Sequence, residues 1–234
     1  MPAKEWNMTA LPNNSIARRH FLAGAAAAGV LALPGCASMG GYSFTDAIRR
    51  LLMLSADNAF DRLTAPGGFW DSQVARIALP ELYGRRGGVM QGILTSEAFR
   101  SQLHRRLNIF AEEGARRAAP VVAETVRTIG IANAVALIRG GPTAATSFLR
   151  DNMAGSLVNV MIPALGDAMR VARDPLVGQA LSLLAGVDIG DAAQSLAMGA
   201  DNAIWYQIGA EEADIRANPQ KTNDPVLMGV LKVL

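Results

Sequence analysis

The sequence predicts an all-α protein, a single-domain multi-helix bundle that follows an N-terminal signal peptide. Alanine, leucine and arginine recur at helical spacing, and no segment shows the sustained period-two alternation of a β-strand. The connections between the helical segments are short and carry Gly or Pro, which favours a mostly antiparallel arrangement. Half of the 234 residues are hydrophobic, so the chain can build one domain with a sizeable core.

The predicted helices follow one another along the chain. The first, residues 45–63, ends before Pro66-Gly67-Gly68. The second begins after an expected cap at Thr95, because Glu97 places an acid in the first turn, and is expected to break at Pro120, since proline inside a helix costs about 3 kcal/mol. The later helices are predicted at residues 132–139, 143–173 with a bend at Pro163, and 191–217.

Residues 1–35 have the parts of an export signal in the usual order. Arg18 and Arg19 supply the charge, and residues 21–33 form a short apolar run. This run is shorter than the roughly 20 apolar residues that span a bilayer, which favours a cleaved signal over a membrane helix. The arginine pair resembles the twin-arginine motif that exports folded proteins. Export by the general route is the alternative.

Cys36, the only cysteine, is the predicted lipid-attachment site. It follows Leu33-Pro34-Gly35, which looks like a bacterial lipobox, and a lone exported cysteine cannot form an internal disulfide. Acyl chains would anchor the domain, because each buried methylene contributes about 0.8 kcal/mol. Ordinary signal cleavage after Ala37 is the alternative.

These features predict a domain organisation and a location. The expected segments are a signal at residues 1–35, a tether at 36–44 and a helical domain at 45–234. The mature protein is expected to face the periplasm on a lipid anchor, and Ala37 after the cysteine favours sorting to the outer membrane.

Charge argues against nucleic-acid binding, and no nucleic-acid partner is expected. Without the signal, the chain has nineteen basic and nineteen acidic residues. The charges are unevenly placed: residues 85–150 hold ten Arg and four Glu, whereas residues 151–214 hold nine acids and two Arg. The two segments could neutralise each other by packing, or the basic one could bind an anionic partner such as lipid headgroups or cell-wall polymer.

Few residues offer catalytic or metal chemistry. His104 is the only histidine after the signal, which excludes a His/Cys zinc cluster and leaves a serine triad a single possible base. Its position beside an apolar helix stripe favours a solvated helix flank. No phosphate-binding glycine loop and no regular calcium loop is present. We therefore expect no metal, no cofactor and no catalytic residue.

Glu211 is the acid whose position is most unusual, because it falls in an apolar stripe with Ile208 and Ile215. A buried carboxylate needs a cation or several donors. We therefore expect an arginine within ion-pair reach, with Arg150 and Arg76 as the leading candidates.

The other candidate polar residues lie near it in the predicted helices. Thr143, Thr146 and Arg150 share a helix face at spacings of three and four. Glu212 and Arg216 are four apart and are expected to pair on the outer face, where such pairs contribute about 0.3–0.5 kcal/mol. The cluster is interpreted as a helix cap with a buried brace, and a ligand pocket between the helices is the alternative.

Several segments together resemble a known family. They occur in its order and spacing, and they are Gly67-Gly68-Phe69, Arg76-Ile77-Ala78-Leu79-Pro80, Gly140-Gly141-Pro142-Thr143-Ala144-Ala145-Thr146 and Glu211-Glu212-Ala213-Asp214-Ile215-Arg216-Ala217-Asn218-Pro219. The family is domain of unknown function 4197 (DUF4197), exported bacterial helical proteins. The resemblance implies a helical fold and an exported location, and it implies no activity.

Two functions are compatible with these observations. The first is a cell-envelope lipoprotein that acts as an interaction or structural module, with the membrane as partner through its anchor and an envelope protein or anionic partner besides. The second is a small-molecule-binding protein, or an enzyme without the usual motifs, with a Thr/Arg/Glu pocket between helices.

Overall fold

The helical periodicity of the sequence is realised as seven α-helices in the part of the chain that the structure describes. A computed structural model describes residues 38–39, 42–78, 96–171 and 189–232. The predicted signal, Cys36 and Thr95 lie outside these residues. The described part also contains a small antiparallel hairpin, β1 (Ser38–Met39) and β2 (Tyr42–Ser43), within the predicted tether.

The first helix matches the sequence pattern closely. Helix α1 (Phe44–Leu63) begins after Ser43, whose hydroxyl accepts a hydrogen bond from the N–H of Thr45. Its predicted apolar face is buried, with Ile48 and Leu52 fully enclosed. The chain then turns at Gly67, where φ is +82°, a conformation that glycine adopts without strain.

The second helix is longer than predicted. Helix α2 (Glu97–Thr128) is capped by Ser96, whose hydroxyl accepts from the N–H of Phe99. The expected break at Pro120 is wrong, because the helix continues through that exposed residue. Ala118 and Val122 on either side are fully buried, so core packing of the flanking turns compensates for the hydrogen bond that proline cannot make.

The predicted helix at 143–173 is two helices. The chain forms α3 (Ala134–Arg139), α4 (Ala144–Asn152) and α5 (Ser156–Val171), and α5 is continuous through Pro163. The break lies at Gly155, whose φ of +75° is incompatible with a right-handed helix. A helical pattern on both sides of Gly155 concealed this interruption.

The last long helix agrees with its prediction, and two elements follow it. Helix α6 (Ile189–Ala217) is followed by a 3-10 helix (Pro219–Thr222) and α7 (Pro225–Leu231), which the sequence analysis missed. Asp224 caps α7 by accepting from the N–H groups of Val226 and Leu227. None of the helices in the described ranges is long and apolar enough to cross a membrane.

The four longest helices pack around a common core. Helix α1 lies against α2 and α6, and α5 lies against α2 and α6. Arg49 near the start of α1 donates to the carbonyl of Val126 near the end of α2, so these two helices are antiparallel. Gly114 permits the close approach of α2 and α5, because a Cβ there would lie 3.2 Å from Leu165 Cδ2.

Candidate functional site

The most strongly buried charge in the described part is Glu212 of α6, whose side chain is 0% exposed. Its Oε1 accepts from the N–H of Ala145 at 3.0 Å and its Oε2 accepts from the N–H of Thr146 at 2.6 Å. Both donors belong to the first turn of α4, where backbone N–H groups have no partner within the helix. The carboxylate therefore caps α4 from a neighbouring helix and matches the positive end of its dipole.

Arg216 completes the arrangement, one turn further along α6. Its Nε lies 2.8 Å from Oε1 of Glu212, and its Nη2 lies 2.7 Å from the same oxygen. The same guanidinium donates to the carbonyls of Ile138 at 2.8 Å and Leu137 at 2.9 Å. These carbonyls lie at the end of α3, where a cation is favoured by the helix dipole. We call Glu212 and Arg216, with the α3 end and the α4 start that they join, the brace.

The expected position of the Glu212–Arg216 pair on the outer face is wrong. The residues pair as their spacing predicts, but Glu212 is fully buried and the Arg216 side chain is only 11% exposed. The reason is that α3 and α4 cover the side of α6 that a single apolar stripe would leave to solvent.

Thr143 and Thr146 contribute to the brace differently from their expected roles. Thr143 is at the N-cap of α4, but its side chain makes no capping hydrogen bond, since Glu212 takes the N–H groups of the first turn. Thr146 is buried, and its hydroxyl has no hydrogen-bond partner in the described structure. The close contact of α4 with α6 depends on Gly209, where a Cβ would lie 3.2 Å from Thr143 Cγ2.

Glu211 is buried and has an arginine partner, but the partner differs from both candidates. Arg62 at the end of α1 places its Nε 2.9 Å from Oε1 of Glu211, and Gln207 donates to the same oxygen at 2.9 Å. The Arg62 side chain is 70% exposed, so it covers the carboxylate from the surface. The contact joins α1 to α6.

Arg150 and Arg76, the predicted partners of Glu211, lie elsewhere. Arg150 donates to Asn202 at 2.6 Å and lies 3.7 Å from an oxygen of Asp201. Arg76 stacks on the ring of Trp70, with its Cζ 4.9 Å from the ring centroid. The seven candidate residues therefore do not form one pocket.

A second set of polar contacts, which the sequence analysis did not identify, fixes the segment after α1. Asn108 is fully buried in α2, and its side-chain amide accepts from the N–H of Ile77 at 2.9 Å and donates to its carbonyl at 3.1 Å. His104 is half-buried rather than solvated, and its Nε2–H donates to the same carbonyl. Its ring contacts Trp70 edge-on at 5.0 Å between centroids.

Glu112 of α2 is another buried carboxylate with a backbone partner. It is 4% exposed and accepts from the N–H of Gly67 at 3.0 Å. Burial raises the pKa of the Glu112 carboxyl, while the Gly67 N–H and the nearby Arg116 oppose the shift. Arg116 itself donates to the carbonyl of Thr64 at the end of α1, so this pair repeats the pattern of charged side chains at helix ends.

An open groove lies beside the brace. It has a volume of about 810 Å³ and is lined by residues 138–142, Ala213, Arg216, Ala217 and Leu231. Its walls thus come from the connection between α3 and α4, the last turns of α6 and the end of α7. In the described part of the chain, no group of three or more His, Cys, Asp or Glu side chains is placed to hold a metal ion.

Comparisons with known proteins identify one family. No curated protein and no solved structure matches the chain. A family profile described as protein of unknown function (DUF4197) matches residues 38–232, which include both elements of the brace and all seven helices of the described part. The chain belongs to the DUF4197 family.

Proposed function

We propose that this protein is an exported, lipid-anchored component of the bacterial cell envelope, whose helical domain serves as an interaction or structural module. Acylation at Cys36 is the anchor in this proposal, and the outer membrane is its destination. The observation that carries the proposal is the position of the lipobox-like run. Residues 33–36 are separated by Ala37 alone from residue 38, where the family domain begins.

The geometry of the polar cluster supports a structural or interaction role over a catalytic one. The carboxylate of Glu212 and the guanidinium of Arg216 are engaged with each other and with backbone groups at two helix ends. A catalytic acid or base must instead reach a substrate. The Thr/Arg/Glu pocket is disfavoured for a different reason, which is that Thr143, Arg150 and Glu211 contact different parts of the molecule.

Exposed basic residues support a partner of negative charge. Arg100 and Arg105 lie on the outer face of α2, are exposed, and form no ion pair or side-chain hydrogen bond with a described residue. Three of the four acids of that helix pair with other arginines, as Glu113 does with Arg116 at 2.9 Å. Neutralisation of the basic segment by the acidic one is therefore incomplete in the described part, although Arg150 and Asp201 do join them.

Cell fractionation tests the anchor. The wild-type protein should pellet with membranes and be released by detergent but not by high salt, because acyl chains rather than charges hold it. Cys36→Ser should abolish this membrane association or stall processing of the signal. Cys36→Ser protein that is processed and pellets like wild type would refute the anchor.

The export route has its own test. Replacement of both Arg18 and Arg19 by Lys preserves the charge of the signal and should block export if the twin-arginine route is used. Normal export of this double variant would assign the protein to the general route instead, and would leave the proposed anchor unaffected.

A further inference from the structure

The groove beside the brace combines apolar walls with donor groups. Its apolar lining includes Ile138, Pro142, Ala217 and Leu231. Its volume of about 810 Å³ lies within the roughly 300–1,000 Å³ of small-molecule sites.

Two polar groups on these walls, the guanidinium of Arg139 and the N–H of Gly141, are hydrogen-bond donors without partners in the described structure. Arg139, the last residue of α3, is exposed and forms no ion pair or side-chain hydrogen bond within the described structure. In the same connection, the N–H of Gly140 donates to the carbonyl of Leu137 and that of Ala144 to the carbonyl of Gly141, whereas the N–H of Gly141 has no acceptor among the described residues. The Nη1 of Arg216 donates one of its two N–H groups to the carbonyl of Ile138, and the second N–H has no partner among the described residues.

The groove is also positive in charge. Among the described residues that line it, none is acidic. Glu212 neutralises Arg216 from within the protein, and the nearby Asp214 is engaged with Lys221 and Asn218. The charge of Arg139 is therefore uncompensated at the mouth of a partly apolar groove.

We propose that this groove binds a monoanionic carboxylate that carries a linear aliphatic chain. Arg139 pairs with the carboxylate, because a guanidinium matches its planar geometry with two parallel hydrogen bonds. The N–H of Gly141 supplies a further donor. The aliphatic chain lies against Ala217 and Leu231, whose apolar surface would otherwise contact water. This site adjoins the brace, with which it shares Arg216, and does not depend on where the protein is located.

A titration with fatty acids of increasing length tests the proposal directly. The full chain with Cys36→Ser, which cannot be acylated, is followed by NMR of its backbone amides. Hexanoate should shift the Gly141 amide saturably and leave Gly130, exposed in the connection between α2 and α3, unchanged. Affinity should rise from butyrate to hexanoate to octanoate, by at most about fourfold for each added methylene.

Two variants and one control locate the site. Arg139→Gln should weaken hexanoate binding about tenfold or more, since it removes a charge-assisted pair. Arg117→Gln removes an exposed arginine of α2 that does not line the groove, and should leave the affinity unchanged. Ala217→Phe should block binding while the protein stays folded, because Ala217 is exposed and the larger ring fills the groove.

The proposal fails if the Gly141 amide shows no saturable shift, or if hexanol binds as tightly as hexanoate. Equal loss of affinity in Arg139→Gln and Arg117→Gln would show nonspecific attraction of anions. Unchanged binding to folded Ala217→Phe would place the ligand outside the groove and would also overturn the assignment.

Discussion

Removal of the Glu212 carboxylate should destabilise the fold far more than its position on an amphipathic helix suggests. Glu212→Ala leaves Arg216 with a buried charge and leaves the N–H groups of Ala145 and Thr146 without acceptors. Breaking a buried ion pair costs about 3–5 kcal/mol, and each buried backbone N–H left unpaired costs about 1–3 kcal/mol. Because water and local relaxation recover part of this cost, we expect a loss of at least about 3 kcal/mol.

This loss is large compared with the free energy of unfolding of a typical domain, which is about 5–15 kcal/mol. Urea unfolding followed by circular dichroism measures it. The matched control is Glu113→Ala in α2, which removes a 38% exposed carboxylate that pairs with Arg116 at 2.9 Å and should cost less than about 1 kcal/mol.

A double variant separates the brace from a simple ion pair. Apolar replacement of both partners often restores the stability lost when a buried pair is broken. In Glu212→Met/Arg216→Met, however, the N–H groups at the start of α4 and the carbonyls at the end of α3 would still lack partners. Recovery should therefore be incomplete. A Glu212→Ala loss no larger than that of Glu113→Ala, or full recovery in the double variant, would refute the reasoning.

Three further predictions concern the segment between α1 and α2. Burial raises the pKa of the Glu112 carboxyl above its ordinary 4.5, so the folded state holds this proton more tightly than the unfolded state. The free energy of unfolding of the wild type, relative to Glu112→Gln, should therefore fall as pH rises from 4.5 through the raised pKa; urea titrations at several pH values that showed a rise would contradict this. Asn108→Leu should lower the free energy of unfolding by about 1–3 kcal/mol, because it leaves the N–H of Ile77 without its acceptor, and a chemical-denaturation loss below about 0.5 kcal/mol would count against it. Gly68→Ala should lower the melting temperature markedly, since its Cβ would lie 2.2 Å from the carbonyl oxygen of Arg62. Gly130→Ala, whose Cβ meets no described atom within 4 Å, is the control, and equal melting temperatures for the two variants would rule out the predicted clash.

Helical periodicity was sufficient to predict the elements that bury one continuous stripe. The apolar positions of α1 and α2 point to the core as expected, and the family resemblance is confirmed by the match over residues 38–232. Periodicity could not identify the end of α4, because a glycine in a left-handed conformation interrupts the backbone without changing the apolar pattern on either side. The sequence analysis also overestimated the effect of Pro120 on helix α2, since helix propensity carries less weight than the packing of the turns around that residue.

The polar contacts were predicted less well, and the reason is their sequence separation. A helical pattern shows that Glu211 lies among isoleucines, but it contains no information on which helices cover the other sides of α6. Glu212 was predicted to be exposed for this reason. The N–H groups that donate to its carboxylate belong to residues that precede it by 67 and 66 positions in the sequence. Asn108, which lies 31 residues from Ile77, had no sequence signal beyond being a polar residue on a buried face.

The measurement that tests the central claim most directly is the intact mass of the mature protein isolated from its native envelope. A family domain held at the membrane by an acylated Cys36 predicts a chain that begins at Cys36 with the added mass of acyl chains and a glyceryl group. A protein that begins at Ser38 and carries no modification would contradict the anchor, and with it the proposed role at the membrane.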